Sequence, residues 1–345
     1  MNKKLIAYSL VAACLLTIAV TDADAQKDRR RGTAGADYLL VPVTARTASL
    51  GTTTTSGLND MAGVEVVFSN PAGLATNPGT NALFSRMQYV ADIGVNYIGI
   101  AQNFGSNNIA LTVTSWDFGD IPLQTEELPE ISSVTWTASY LTAGLTYARQ
   151  FTDRISAGVT AKLLNEKIDD TGASGMAFDA GMTYAVGESG LRFGVSLKNL
   201  GQQMNYSGDG LVRLIRLPDQ RGNATPNAVT LDGAAYELPS LLNFGVSYTR
   251  PLGGNSNVTV LGNFRSNSFT EDQYAAGVEF GLMNVLHVRG SYELQGDMDN
   301  TFYTGASFGA GLNLNLGGTG LTVDYAYRAT DYFDGVNMVT ASITL

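Results

Sequence analysis

The sequence has little of what enzymes and metal proteins use. Its 345 residues include one cysteine, Cys14, and one histidine, His287, and only 15% of the residues are charged. A catalytic histidine needs a nucleophile aligned with it, and a transition metal needs a cluster of histidines or cysteines. We therefore predict that the protein is not an enzyme and holds no metal or cofactor. The net charge of −10 argues against a nucleic-acid partner, since nucleic acids are also negatively charged.

Long hydrophobic runs are also absent beyond the N-terminus. No stretch of 18 apolar residues follows residue 25, so no transmembrane helix is predicted there. Residues 1–25 have the form of a secretion signal peptide, with basic Lys3 and Lys4, an apolar stretch from Leu5 to Val20, and small residues before Gln26. Cys14 lies within this signal, where lipoprotein processing is an alternative. Cleavage after Ala25 leaves no cysteine, which suits an oxidising compartment.

The rest of the chain is dominated by alternation of apolar and polar residues. In the run Ile155, Ala157, Val159, Ala161 and Leu163, apolar side chains occupy every second position. A period of two indicates a β-strand, and about ten such residues are enough for a tilted strand to cross a bilayer. We predict fourteen strands, near residues 81–90, 94–103, 107–117, 136–150, 154–166, 175–186, 190–199, 238–250, 256–266, 273–282, 285–295, 302–316, 319–329 and 336–345.

The predicted fold class is all-β: a transmembrane antiparallel β-barrel over residues 81–345. A soluble β-sandwich would also alternate, but its strands are shorter, about five or six residues. The apolar face should contact lipid, with tyrosines forming girdles at the headgroups. The opposite face should carry the lumen charges, which are Lys162, Asp179, Arg192, Lys198, Arg265, Glu279, His287, Arg289, Glu293, Asp324 and Arg328.

Glycines recur on the predicted inward face, and two explanations remain open. Glycine in a strand marks a bend or a close approach of other backbone, so these residues either ease curvature or clear space for a plug. The positions are Gly144, Gly158, Gly181, Gly194, Gly245, Gly277, Gly305, Gly309 and Gly311.

Residues 26–80 do not alternate and are rich in small residues. They are too few to form a separate domain with a good core. We therefore expect a leader and a plug segment inside the barrel. The turn Asn70, Pro71, Ala72 and Gly73 is the candidate anchor of this plug, since proline fixes one backbone angle and glycine permits a sharp bend. An ordinary turn before the first strand is the alternative.

Two motifs precede the barrel: GTAGADYLLVPVTARTASLG at residues 32–51 and VVFSNPAGLA at 66–75. In this order, and followed by a barrel, they resemble the PorV/PorQ family of FadL-like outer-membrane proteins. That resemblance implies fourteen strands around an N-terminal plug. Family members commonly have methionine where this chain has Leu50, and Trp or Tyr where it has Ser69, which weakens assignment to a subfamily.

The resemblance also implies a function. PorV-like barrels take part in type IX secretion in Bacteroidetes-type bacteria, where they escort cargo with C-terminal sorting domains and dock to the large translocon barrel. The expected partners are therefore outer-membrane lipids, translocon and cargo, and the expected location is the outer membrane. The alternative is a FadL-type channel for hydrophobic small molecules, which would need an apolar pocket near the plug. A general porin is a third possibility, against which the plug argues.

Overall fold

The protein is described from a computed structural model that covers residues 32–58, 61, 63–124, 134–216, 225–296 and 302–345. The signal peptide predicted at residues 1–25 and the start of the leader lie outside these residues. No helix in the described part of the chain is long and apolar enough to cross a membrane.

Fourteen long antiparallel strands form the wall in the described residues, so the predicted strand number is confirmed. Three short strands, β8 to β10, lie between β7 and β11. The strands are β1 Thr80–Gln88, β2 Gly94–Phe104, β3 Asn107–Pro122, β4 Thr135–Gln150, β5 Ile155–Ile168, β6 Thr171–Ala185, β7 Leu191–Gly201, β8 Ser207–Gly208, β9 Val212–Ile215, β10 Asn227–Thr230, β11 Leu241–Gly253, β12 Ser256–Asn267, β13 Gln273–Leu282, β14 Leu286–Gln295, β15 Tyr303–Leu316, β16 Thr319–Thr330 and β17 Val336–Thr344.

The sheet closes on itself. Strand β1 pairs with β2 on one side and with β17 on the other, in a register that runs from Asn81 opposite Thr344 to Gln88 opposite Asn337. Each remaining strand of the wall pairs with a neighbour on both sides, β7 with β6 and β11. Because hydrocarbon offers no hydrogen bonds, closure is what allows a sheet to span a membrane.

The two faces of the wall differ as the alternation predicts. Outward side chains stay exposed, as Ile98, Leu163 and Phe308 do at 55%, 57% and 57%. Placing their neighbours outward instead would put charge into the bilayer, so the register of each strand is strongly specified. Tyrosines predicted for the girdles are also exposed on this face, namely Tyr147, Tyr184, Tyr248, Tyr292 and Tyr327. The fold and the exterior are those of an outer-membrane barrel.

The two ends of the barrel differ in the length of their connections. At the turn end, strands are joined by segments such as 105–106, 254–255 and 317–318, and both Thr80 and Leu345 lie here. The loop end carries segments 123–134 and 202–240. In bacterial barrels the short turns face the periplasm and the longer loops face outward.

The described residues 33–79, called the plug below, lie inside the barrel. They form one short helix, α1 Ala45–Ser49, and 3-10 turns at Asp37–Leu40, Gly51–Ser56, Gly63–Val66 and Pro71–Thr76. The Gly35 N–H donates to the Glu237 carbonyl at the loop end (3.0 Å), and the Gly79 carbonyl accepts from the Asn103 N–H at the turn end (3.0 Å). The plug therefore traverses the lumen from end to end.

Most inward glycines stand where the plug, through its backbone or a side chain, lies against the wall. A Cβ at Gly194 would overlap the Thr55 carbonyl and the Ser56 Cα, and one at Gly158 would overlap the Pro71 carbonyl. Gly181, Gly245, Gly277 and Gly309 likewise face plug atoms, whereas Gly144 and Gly311 face wall side chains and Gly305 sits at a bulge with φ +90°. The main role of these glycines is thus to make room for the plug, which is one of the two explanations that the sequence leaves open.

We predict that Gly194→Ala loosens the plug, because its methyl group would collide with backbone that cannot rotate away. Overpacking of this kind costs about 1–3 kcal/mol. The thermal unfolding midpoint of the barrel in detergent should fall. Gly290→Ala is the matched control, since a Cβ there faces the bilayer side with its nearest atom at 3.6 Å. Equal midpoints for the two variants would contradict this account.

Candidate functional site

A buried ion-pair network joins the plug to the wall. Arg46 of α1 is 3% exposed, and Glu279 of β13 is 1% exposed. The Arg46 guanidinium donates from Nε to one Glu279 oxygen (3.1 Å) and from Nη2 to the other (2.7 Å). Arg289 of β14 donates to both Glu279 and Asp324 of β16. Charges buried this deeply need such partners, and a bidentate pair also fixes orientation.

Two further ionisable groups border this network. The Glu65 carboxylate of the plug lies 3.8 Å from Arg46 Nη1. Burial raises the pKa of Glu65 to about 7, against the opposing effect of the nearby Arg46. The bidentate contact makes Glu279 the principal counterion of Arg46. His287 Nδ1 lies 3.8 Å from Glu279, and its Nε2 is 3.0 Å from the Asn313 amide. The sequence predicts His287 in the lumen, and here it lies beside the Glu279 carboxylate.

A second set of contacts lies nearer the loop end. Glu293 accepts a hydrogen bond from the Thr52 N–H (2.7 Å) and one from Arg328 (3.1 Å). The Arg328 guanidinium also lies 3.9 Å from the centre of the Tyr303 ring. Arg265 donates to the Asn243 amide oxygen at 3.0 Å. Backbone of the plug and side chains of the wall therefore share one hydrogen-bonded system.

The remaining lumen charges lie on strands β5 to β7. Lys162 and Asp179 form an ion pair at 2.6 Å, and Asp179 also accepts from the Asn199 N–H at 2.8 Å. The buried Lys198 ammonium lies 3.7 Å from the centre of the Phe68 ring of the plug. Arg192 donates to the Leu58 carbonyl at 3.3 Å. Within the described residues, no group of three or more acidic, histidine or cysteine side chains could hold a metal ion.

The Asn70–Gly73 turn lies against the wall at β6 and β7. Asn70 caps the 3-10 turn that begins at Pro71, accepting from the Ala72 N–H at 3.0 Å. Its amide nitrogen donates to the carbonyls of Thr55 (2.8 Å), Met182 (3.2 Å) and Val195 (3.3 Å). One side chain thus links two parts of the plug to two strands of the wall.

An apolar cavity lies beside the plug, against strands β2 to β6. Its volume is about 50 Å³. Val43, Val67 and Phe68 of the plug face Tyr97 and Trp116 of the wall across it. The polar wall residues that line it are Thr112, Thr114, Thr142, Thr160, Lys162 and Asp179. The ion pairs of Arg46 lie on the other half of the barrel, which leaves this half available for apolar contacts.

A second cavity, of about 340 Å³, opens at the loop end and shares Tyr38 and Trp116 with the first. We call it the loop-end cavity. Glu166 of β5, 3% exposed, accepts hydrogen bonds from the hydroxyls of Tyr206 and Tyr236 on one oxygen. Burial, and after it the Glu166 charge, raises the pKa of the Tyr38 hydroxyl well above its usual value, so this phenol stays neutral. The loop-end cavity is lined by Gly35, Ala36, Asp37, Tyr38, Val41, Tyr89, Ile93, Trp116, Phe118, Tyr140, Glu166 and Tyr206.

One sequence pattern typical of hydrolases has a different role here. Residues 305–309, Gly-Ala-Ser-Phe-Gly, match the Gly-x-Ser-x-Gly pattern of a nucleophile elbow. They lie within β15, opposite β14 and β16, rather than at a turn between a strand and a helix. Ser307 pairs in register with Ser291, and His287 pairs with Gly311 further along the same ladder. These residues therefore form part of a wall strand that faces the plug.

Sequence reasoning missed three functional candidates: Arg46, Glu65 and Glu166. The first two lie in the non-alternating segment, where no period indicates a face. Glu166 could have been found, because it shares the inward parity of Lys162 at the end of the same strand.

Comparisons with known proteins agree with the barrel. No family model matches the chain, and no curated protein matches its sequence. The fold is similar to that of the CymD monoaromatic hydrocarbon channel, with a TM-score of 0.57, 10% identity, and coverage of 88% of this chain and 97% of that one. It is also similar to the Pseudomonas putida toluene transporter TodX (0.54, 11%, 86% and 96%) and to a Pseudomonas aeruginosa FadL homologue (0.51, 10%, 88% and 98%). The chain has the FadL-like outer-membrane barrel fold.

We predict that Arg46→Met releases the plug from the wall, because the Glu279 and Glu65 carboxylates lose the cation between them. Breaking a buried pair by removing one partner costs about 3–5 kcal/mol. Limited proteolysis of the folded barrel should then cleave within the plug. Arg86→Met is the control, since Arg86 lies on the outer face, away from the plug, and its guanidinium donates to the Asn96 amide oxygen. A plug equally resistant in both variants would contradict this role for Arg46.

Proposed function

We propose that the protein is an outer-membrane channel of the FadL type that admits small hydrophobic molecules. The observation that carries this proposal is the apolar cavity between the plug and strands β2 to β6. A binding cavity for such molecules is typically concave and apolar, with a few polar groups that fix orientation. Here Phe68, Tyr97 and Trp116 supply apolar surface, and Thr142 and the Lys162–Asp179 pair supply the polar groups.

The wall next to this cavity is irregular. The ladder between β6 and β7 changes register between Phe178 and Ala180, and Asn199 opposite adopts a left-handed backbone with φ 58°. Bulges of this kind locally disrupt pairing and bend the strand. Asp179, on the inner face at this point, also lines the cavity. A molecule in the cavity therefore lies beside an interruption of the strand pairing, and we propose this interruption as its route toward the bilayer.

The functions stated for two of the similar structures support the same proposal. CymD is a monoaromatic hydrocarbon channel and TodX a toluene transporter. Toluene is therefore a suitable first substrate for a test, and a long-chain fatty acid serves as a second, larger hydrophobic probe. The type IX secretion role implied by the PorV/PorQ resemblance is retained as a second candidate.

We expect cells that lack the gene to take up labelled toluene or labelled fatty acid more slowly than cells that carry it. Thr142→Phe should reduce uptake severalfold, because its ring would occupy the cavity. Ala143→Phe is the matched control, since Ala143 is the next residue of β4 and faces outward. Unchanged uptake on deletion, for both substrates, would overturn the channel proposal.

The secretion candidate is favoured by the motifs at residues 32–51 and 66–75 and by the plug that crosses the lumen. In this proposal the barrel is a docking platform, and its partners are cargo with C-terminal sorting domains and the translocon barrel. The loop end, with segments 123–134 and 202–240, would make these contacts.

Deletion of the gene should then remove sorting-domain proteins from the culture medium and leave them in the periplasm. The Thr142→Phe variant should restore secretion fully, because it alters only the cavity. Normal secretion by the deletion strain would contradict this role, and a secretion defect with normal uptake would favour it over the channel.

A further inference from the structure

Glu166 is a buried carboxylate without a cation. It is 3% exposed, and it forms no ion pair with any described lysine, arginine or histidine. One of its oxygens accepts from Tyr206 and Tyr236, and the other, Oε1, has no hydrogen-bond partner among the described residues. Burial of a carboxylate is costly unless it is paired, and the described residues supply no positively charged group at this site.

The surroundings of Glu166 restrict what that group can be. Six aromatic rings line the loop-end cavity, together with the carboxylates of Asp37 and Glu166, and no basic residue is among the lining residues described. The rings are mutually packed, with Tyr38 and Tyr140 centred 5.0 Å apart, Tyr89 and Trp116 at 5.3 Å, and Phe118 and Tyr140 at 4.8 Å. The faces of aromatic rings carry negative potential and attract cations.

Other polar groups at the cavity are also unsatisfied. The Tyr38 hydroxyl and the Trp116 indole N–H are buried without a hydrogen-bond partner in the described structure. Both are hydrogen-bond donors that lie close to the cavity and could meet an oxygen atom of a bound molecule. An occupant with an ammonium group at one end and an oxygen atom at the other would satisfy all three side chains.

We propose that the loop-end cavity binds a small organic ammonium ion, whose charge pairs with Glu166 and whose alkyl groups lie against the aromatic rings. Aromatic cages of this composition recognise quaternary ammonium groups. An apolar molecule alone would leave the carboxylate unpaired, whereas a bare metal ion would leave the rings unused. The proposal concerns binding only, so it stands or falls separately from the transport and secretion functions above.

The test uses choline as the probe and the purified full-length barrel in detergent. The chain has two tryptophans, so a Trp136→Phe variant leaves Trp116 as the only fluorescent indole. Choline chloride should change its fluorescence saturably at constant ionic strength. The neutral isostere 3,3-dimethyl-1-butanol, which has the same shape without the charge, should bind at least about tenfold more weakly, as should sodium chloride.

Two variants assign the effect to the carboxylate. Glu166→Gln keeps the side-chain volume and removes the charge, and should weaken choline binding about tenfold or more. Asp334→Asn removes one negative charge from the same end of the barrel, at an exposed position outside the cavity, and should bind choline as the parent does. The electrophoretic shift of unheated samples verifies that each barrel is folded.

The proposal is overturned if choline and its neutral isostere bind equally, or if neither binds. It is also overturned if folded Glu166→Gln binds choline as tightly as the parent. The preference for choline over the isostere is measured with Glu166 intact, so it decides the question even if Glu166→Gln fails to fold.

Discussion

The structure depends on closure of the hydrogen-bond ladder between β1 and β17. In hydrocarbon, an unpaired backbone N–H or C=O group cannot hydrogen-bond to water, so a sheet with open edges is not stable there. Closure requires strands that are long enough and whose outward face is apolar throughout. It also creates an enclosed lumen, where polar and charged side chains are permitted because they can find one another. The plug and its contacts exist only because this seam is made.

Within the lumen, glycine and charge act together. Gly158 and Gly194 let plug backbone touch the wall, and Gly309 makes room for Ser49 of α1, the helix from which Arg46 reaches Glu279. The ion pairs concentrate on strands β13 to β16, and the apolar cavity lies against β2 to β6. The plug is nevertheless held on both sides of the lumen, by Arg46 at β13 and by Asn70 at β6 and β7. Beside the second contact, the wall also presents aromatic and aliphatic surface.

The strands could be predicted from the sequence because alternation within one strand depends on that strand alone. Thus Lys162 and Asp179 were assigned to the lumen without knowledge of their partners. Which groups pair could not be predicted, since the contact between Arg46 and Glu279 joins residues 233 positions apart. The apolar cavity could not be predicted either, since the lumen charges that line it, Lys162 and Asp179, pair with each other and leave room beside them for the apolar side chains of the plug.

The path of the plug has a consequence for assembly. The chain begins its passage at the loop end, near Glu237, and leaves at the turn end, where β1 starts. The finished barrel is thus a ring threaded by its own N-terminal segment, and the contacts at the wall glycines leave little room to pull a chain through. The simplest order of events is that β1 and β17 join last, around a segment already in place. In that order, the wall would close around a lumen that the plug already fills.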